Sequence, residues 1–271
     1  MNWLKLLRYD LRNGVLRWRY LCVPVVFWPV CFSSWVMIYN SGNVGSWMDY
    51  LMGCFKGVAP VYSVDELAFP IGWFLVMAGC LFLNLDYPMN DLTEAGQQVI
   101  IRCVDKKGWF LSKCVWCLVS TGAYVALGAL TALVYALISG GSADLVNTPQ
   151  VTLEALWMGT ARPLEMGQAV MAALVLPYLT LAALGMAQMA LSLVIKPTIS
   201  FLICVSALVM AMFIDSPYMI GNGAMVIRSA LLDEGGQDPV QAAVACLVII
   251  GLSMILGILR FQRMDHLRYE E

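Results

Sequence analysis

Six stretches of this chain, roughly 21–39, 69–86, 110–138, 167–195, 198–215 and 240–259, are apolar for long enough to cross a bilayer, and few of their residues carry a charge. A helix needs about 20 apolar residues to cross roughly 30 Å of hydrocarbon. No water reaches the backbone N–H and C=O groups there, so such runs have to be helical. They lack the period-2 alternation of barrel strands. Hydrophobic residues make up 61% of the 271 and charged residues only 13%, with a mean hydropathy of +0.76. A soluble domain of this size needs far more polar surface. The expected fold class is an all-α integral membrane protein, a single domain over 1–271. It has six transmembrane helices, an N-terminal interfacial helix over 1–20 and a short cytoplasmic helix between spans two and three.

Basic residues set the expected orientation. Lys5, Arg8, Arg12, Arg17, Arg19, Arg102, Lys106, Lys107, Lys113, Lys196, Arg260, Arg263 and Arg268 fall on one side, 13 of the 16 cations. Only Lys56, Arg162 and Arg228 fall on the other, with ten carboxylates. Cationic short loops stay inside, so both termini are expected in the cytoplasm of a multi-pass cell-membrane protein. The first twenty residues are too basic and amphipathic for the apolar core of a leader, so no cleaved signal peptide is expected.

The connecting pieces carry patterns of their own. Trp3, Leu4, Leu7, Leu11 and Val15 recur at helical spacing beside Lys5, Arg8 and Arg12, predicting a helix in the interface with Gly14 marking a bend. Pro88 ends the second span, and Asp91 with Glu94 has capping-box spacing, which predicts a helix over 91–101 and a turn at Asp105–Gly108. Trp47, Met48, Leu51, Met52 and Phe55 predict a short amphipathic helix on the outer face. Residues 143–165 and 216–238 are longer than minimal connections, and Ala224–Leu232 reads as a shallow re-entrant helix or a plain loop.

Much chemistry is missing. The single histidine, His266, stands in the tail, which removes His-based triads and a conventional zinc site. No phosphate-cradling Gly-rich loop or nucleophile elbow is present. No enzymatic activity, cofactor, metal or nucleic-acid partner is expected of the chain. Cys114 with Cys117 and Met186 with Met189 have the spacing of soft-metal ligands, but in apolar helices such residues ordinarily serve packing. Cys54 is the one clearly exterior cysteine, so no exterior disulfide is expected within the chain. Asp86, Lys113 and Asp215 fall near span ends, where snorkelling is cheap, and no carboxylate or histidine occupies the midplane as an ion-coupled carrier requires. Tyr178, Met186 and Gln188 are the candidate pathway residues. Pro177 is expected to kink the fourth span, and Gly185 with Ala183 and Ala187 permits close helix approach.

This order of parts resembles the type-2 ABC exporter permeases. The stretch Gly96-Gln-Gln-Val-Ile-Ile-Arg102, followed by Trp109-Phe-Leu-Ser-Lys113, is similar to small ABC permeases of Gram-positive bacteria. The resemblance implies a separate ATP-binding subunit that hydrolyses ATP, and a second permease copy or a related permease as partner. It implies that residues 91–101 are the coupling helix, with Asp91, Leu92, Glu94, Gly96 and Arg102 meeting the ATPase. It also implies an amphipathic cargo (peptide, lipid or drug) and contact with membrane lipid throughout. The residues also leave open a non-transporting sensor, assembly or anchoring subunit.

Overall fold

The computed structural model describes residues 3–14, 18–60, 68–85, 106–158, 164–233 and 235–263. Among them the architecture is helical. Two isolated bridges, Ser46 with Ser142 and Ser229 with Gln237, are the only sheet-like pairings. We number the helices α1 (Trp3–Gly14), α2 (Cys22–Asn40), α3 (Trp47–Cys54), α4 (Ile71–Leu83), α5 (Lys106–Ile138), α6 (Met166–Ser192), α7 (Pro197–Phe213) and α8 (Pro239–Arg263).

Four stretches are long and apolar enough to cross a membrane: Trp18–Asn40, Lys107–Ile138, Met166–Ser192 and Pro239–Arg263. The second and fifth apolar runs form shorter helices than their hydropathy predicts. α4 has 13 residues and α7 has 17, and 13 residues rise only roughly 20 Å. Local chemistry explains both. Pro70 stands immediately before α4, and Ile214 leaves the helical region in an extended conformation at the end of α7.

α6 is the most buried of the four long helices and packs most extensively against α8, with α5, α4 and α7 on its other sides. α8 is the least buried, and Val240, Val244, Leu247, Leu252, Ile255 and Leu259 stand exposed along it. Such a continuous apolar stripe belongs against lipid rather than water. The small residues of α6 serve their expected purpose: a Cβ on Gly185 would sit 3.1 Å from Cys117 Sγ of α5. Pro177 is absorbed differently from expectation. The helix continues through it by one turn of π-type bonding over Met171–Val175, where the Leu176 N–H reaches back to Met171 O. That wider turn accommodates the missing donor and the ring.

Three connecting pieces differ from their sequence patterns. α1 forms as expected with Lys5, Arg8 and Arg12 exposed, but its buried face is Leu6, Asp10 and Gly14. Leu7 and Leu11 stay half-exposed. A hydropathy stripe cannot pick a docking face that contains an aspartate and a glycine. At Gly14 the Trp116 ring occupies the space a Cβ would need, so this glycine permits close approach; the expected bend concerns residues 15–17, outside the described residues. α3 forms, but inside the bundle rather than as an amphipathic helix with a free face. Met48, Tyr50, Leu51, Met52 and Cys54 are all buried against α2 and α5. Finally, residues 222–232 form no continuous helix. Two 3₁₀ turns, Asn222–Ala224 and Val226–Arg228, plug the α3 end of the bundle, and Trp73 Nε1 donates to Ala224 O at 3.0 Å.

Candidate functional site

Two polar features lie at opposite ends of the bundle. At the α1 end, Lys113 Nζ donates to Asp10 Oδ1 at 2.5 Å and Ser112 Oγ donates to Asp10 Oδ2 at 2.5 Å. Both charged side chains are fully buried, and the ammonium stands 5.1 Å from the centre of the Trp109 ring. Lys113 therefore does not snorkel, as its place near a span end suggested; it locks α1 to the first turns of α5. Around this clamp pack Leu6, Trp109, Phe110, Trp116, Met186 and Phe261, with Trp109 and Phe261 stacked at 4.6 Å. The missing partner was legible in one respect, since Asp10 is the only carboxylate in the basic first twenty residues. Nothing in the sequence joined it to Lys113.

Further along the bundle a buried polar chain links the first three apolar runs. The Tyr20 hydroxyl meets Ser120 Oγ, which donates to Asn84 Oδ1. Of the candidate pathway residues, Gln188 is 3% exposed and donates from Nε2 to Leu81 O of α4 at 3.2 Å, and its Oε1 has no partner among the described residues. Met186 turns instead into the aromatic cluster beside the clamp. Tyr178, half-buried, donates to Leu118 O of α5 at 3.4 Å. Among the described residues these three thus make contacts of different kinds, Gln188 to α4, Tyr178 to α5 and Met186 to the aromatic cluster. Asp91, Leu92, Glu94, Gly96 and Arg102, with the whole predicted helix 91–101, lie outside the described residues.

At the other end, Arg228 is the organising residue. Its side chain is 3% exposed. Nε donates to Val58 O (2.8 Å), one terminal nitrogen to Ala211 O (2.8 Å) and Asn222 Oδ1 (2.9 Å), and the other to Met212 O (2.7 Å). Ala211 and Met212 belong to the last turn of α7, whose carbonyls have no intrahelical donor and whose dipole favours a cation. Burial lowers the guanidinium pKa from its ordinary value, with Asp215 pulling it back up. Sequence reasoning placed Arg228 in an exterior loop and missed this clamp.

Between α2 and α4 at the same end opens a groove of about 800 Å³. Val30, Ser33 and Met37 of α2 face Ile71, Gly72 and Leu75 of α4 across it. A neighbouring compartment of about 440 Å³ is lined by Met37, Asn40, Ser41, Glu154, Ala155 and Trp157. Lys56 and Trp157 line both. Trp157 is 76% exposed and holds φ at 55°. A left-handed backbone costs a non-glycine residue roughly 1–2 kcal/mol. The strain is held by the π turn Val151–Ala155, with Leu156 N donating to Val151 O and Met158 N to Thr152 O.

Cys54 is a free thiol that does not stand alone. It is fully buried, and its sulfur lies 3.7 Å from that of Cys31 on α2, so it has a neighbour within the chain. No group of three or more potential metal-ligating side chains occurs among the described residues.

A bundle with four apolar helices of membrane-spanning length, one of them with a continuous exposed apolar stripe, defines an α-helical membrane protein. Residues 27–267 match the model of a family described as a protein of unknown function, DUF2705, and the chain belongs to that family. No curated protein and no solved structure matches it.

Proposed function

We propose that this chain is the membrane-spanning permease subunit of an ATP-driven ABC exporter. In this reading the chain crosses the cytoplasmic membrane six times with both termini inside. The short helices α4 and α7 complete the crossings together with their flanking residues. ATP hydrolysis belongs to a separate subunit docked on residues 91–101, and a second permease, identical or related, completes the path for an amphipathic cargo.

The observation that carries the reading is the clamp of Lys113 and Ser112 on Asp10. Residues 86–105 lead directly into α5, and α5 is joined to the interfacial helix by a buried ion pair. A displacement imposed on that segment by a nucleotide-dependent partner is therefore delivered to α1 and α5 as one body. Coupling through packed elements needs such a rigid connection. The absence of a midplane carboxylate from the six runs also suits a device driven by ATP rather than by an ion gradient.

The first experiment is mild-detergent purification from native membranes with mass spectrometry of the co-purifying proteins. A stoichiometric ATP-binding subunit supports the proposal. Reproducible purification without one, across detergents, removes it in favour of a sensor or scaffold. In a reconstituted complex, Leu92→Pro and Arg102→Glu are expected to uncouple ATP hydrolysis from transport while membrane insertion is retained. Unchanged transport by Leu92→Pro would refute the coupling assignment.

A further inference from the structure

The groove between α2 and α4 combines three observations that the transport reading does not use. Its walls are apolar and lie on two helices whose outward residues, Met37, Ile71 and Leu75, are exposed where lipid would be. Its volume of about 800 Å³ falls within the roughly 300–1,000 Å³ of small-molecule sites. Its polar end is built rather than accidental. Of the three basic residues on this side of the sequence, Arg228 is consumed by backbone carbonyls and Arg162 lies outside the described residues. Lys56 is left, half-buried, with no side-chain hydrogen bond or ion pair among the described residues.

The adjoining compartment supplies the opposite charge. Glu154 lines it as Lys56 does, and among the described residues no ion pair joins the two and the carboxylate accepts from Asn43 Nδ2 alone, at 3.2 Å. An unpaired cation and a carboxylate in one small compartment, opening onto an apolar slot, match a headgroup that carries both charges on an acyl chain. The strained, exposed Trp157 lines both compartments, and an amphipathic indole is a side chain suited to a membrane interface.

We infer that the groove holds one zwitterionic glycerophospholipid, with an acyl chain between α2 and α4, its phosphate on the Lys56 ammonium and its amine on the Glu154 carboxylate. Charge complementarity selects this occupant. An anionic lipid leaves Glu154 facing a negative headgroup, and a neutral diacylglycerol leaves both charged groups unmatched. The inference is independent of ATP-driven transport, because it concerns the purified chain alone.

The test is native mass spectrometry of the full-length protein in detergent, titrated separately with phosphatidylethanolamine, phosphatidylglycerol and diacylglycerol. Wild type is expected to retain one phosphatidylethanolamine in preference to the other two. Lys56→Gln should weaken both phospholipids roughly tenfold, the loss of one charge-assisted contact. Glu154→Gln should weaken phosphatidylethanolamine alone, and Ser33→Trp, which fills the slot without touching either charge, should weaken all three. Lys196→Gln, an exposed lysine beyond the groove, is the charge control and should match wild type. Thermal melts of each variant establish that it is folded. Equal retention by wild type, Lys56→Gln and Ser33→Trp would overturn the inference and leave the groove to a peptide or a second copy of the chain. A preference for phosphatidylglycerol or diacylglycerol would overturn it too. A protein that lacks an ATPase partner but shows the expected lipid pattern would refute the transport reading and keep this one.

Discussion

Asp10 shows how one residue can matter more than its helix pattern suggests. Its carboxylate is the counter-charge that lets Lys113 exist in an apolar interior. Asp10→Asn is expected to destabilise the protein by about 3–5 kcal/mol, because it takes the carboxylate away from a buried ammonium that donates to it. The double variant Asp10→Asn/Lys113→Met should recover most of that loss, measured by thermal unfolding in detergent. Asp49 supplies a pH-dependent counterpart. Its Oδ2 accepts from the Ser46 N–H (2.8 Å) and Ser46 Oγ (2.8 Å), and its Oδ1 from the Thr148 N–H (3.0 Å), capping α3. Burial nevertheless pushes its carboxyl above the ordinary value, outweighing those hydrogen bonds. The folded state then binds the proton more tightly than the unfolded chain, so this contribution is present below about pH 4 and is lost as pH rises through the raised value. The melting temperature of wild type relative to Asp49→Asn should fall over that window. A difference that rises with pH would contradict the assigned direction.

Among the elements, α3 and the 222–232 plug were the hardest to read. The pattern of Trp47, Met48, Leu51, Met52 and Phe55 announces a helix, and its Ser46–Asp49 capping box makes it one. That the helix is buried rather than laid on the surface depends on α2 before it and on α5, which begins at Lys106. The apposition of α2 and α3 is testable through Cys31 and Cys54, whose sulfurs are 3.7 Å apart. A small permeant azo oxidant such as diamide, reduced to its hydrazine as the two thiols form a disulfide, should remove both together from maleimide labelling of the subsequently denatured protein. Independent labelling of the two would contradict the packing. The plug depends on Arg228, which closes the open carbonyl end of α7 and ties it to Val58. Replacing it with Met is expected to cost about 3 kcal/mol, since several buried carbonyls lose a charged donor. Lys at this position should restore less than half, because an ammonium cannot reproduce the planar fork.

For the whole molecule, the charge asymmetry predicts that single-cysteine labelling finds residues 143–165 exterior and residues 91–107 cytoplasmic. The reverse pattern would invert the topology. The sequence by itself determined that the chain is helical and made for lipid, because composition and run length depend on the solvent alone and not on which helix meets which. Four of its six apolar runs fall on helices long and apolar enough to cross a membrane, since such a run is bounded by its own polar or proline-bearing ends. Tertiary structure alone decided which face of α1 docks, that Lys113 and Arg228 are buried, that α3 sits inside, and that Lys56 and Glu154 share one compartment beside an apolar slot. Those outcomes rest on contacts between separate elements, Asp10 with Lys113 and Arg228 with Val58 among them, and they run against local hydropathy. A charge reads as exposed until its partner is known, and only the packed bundle supplies the partner.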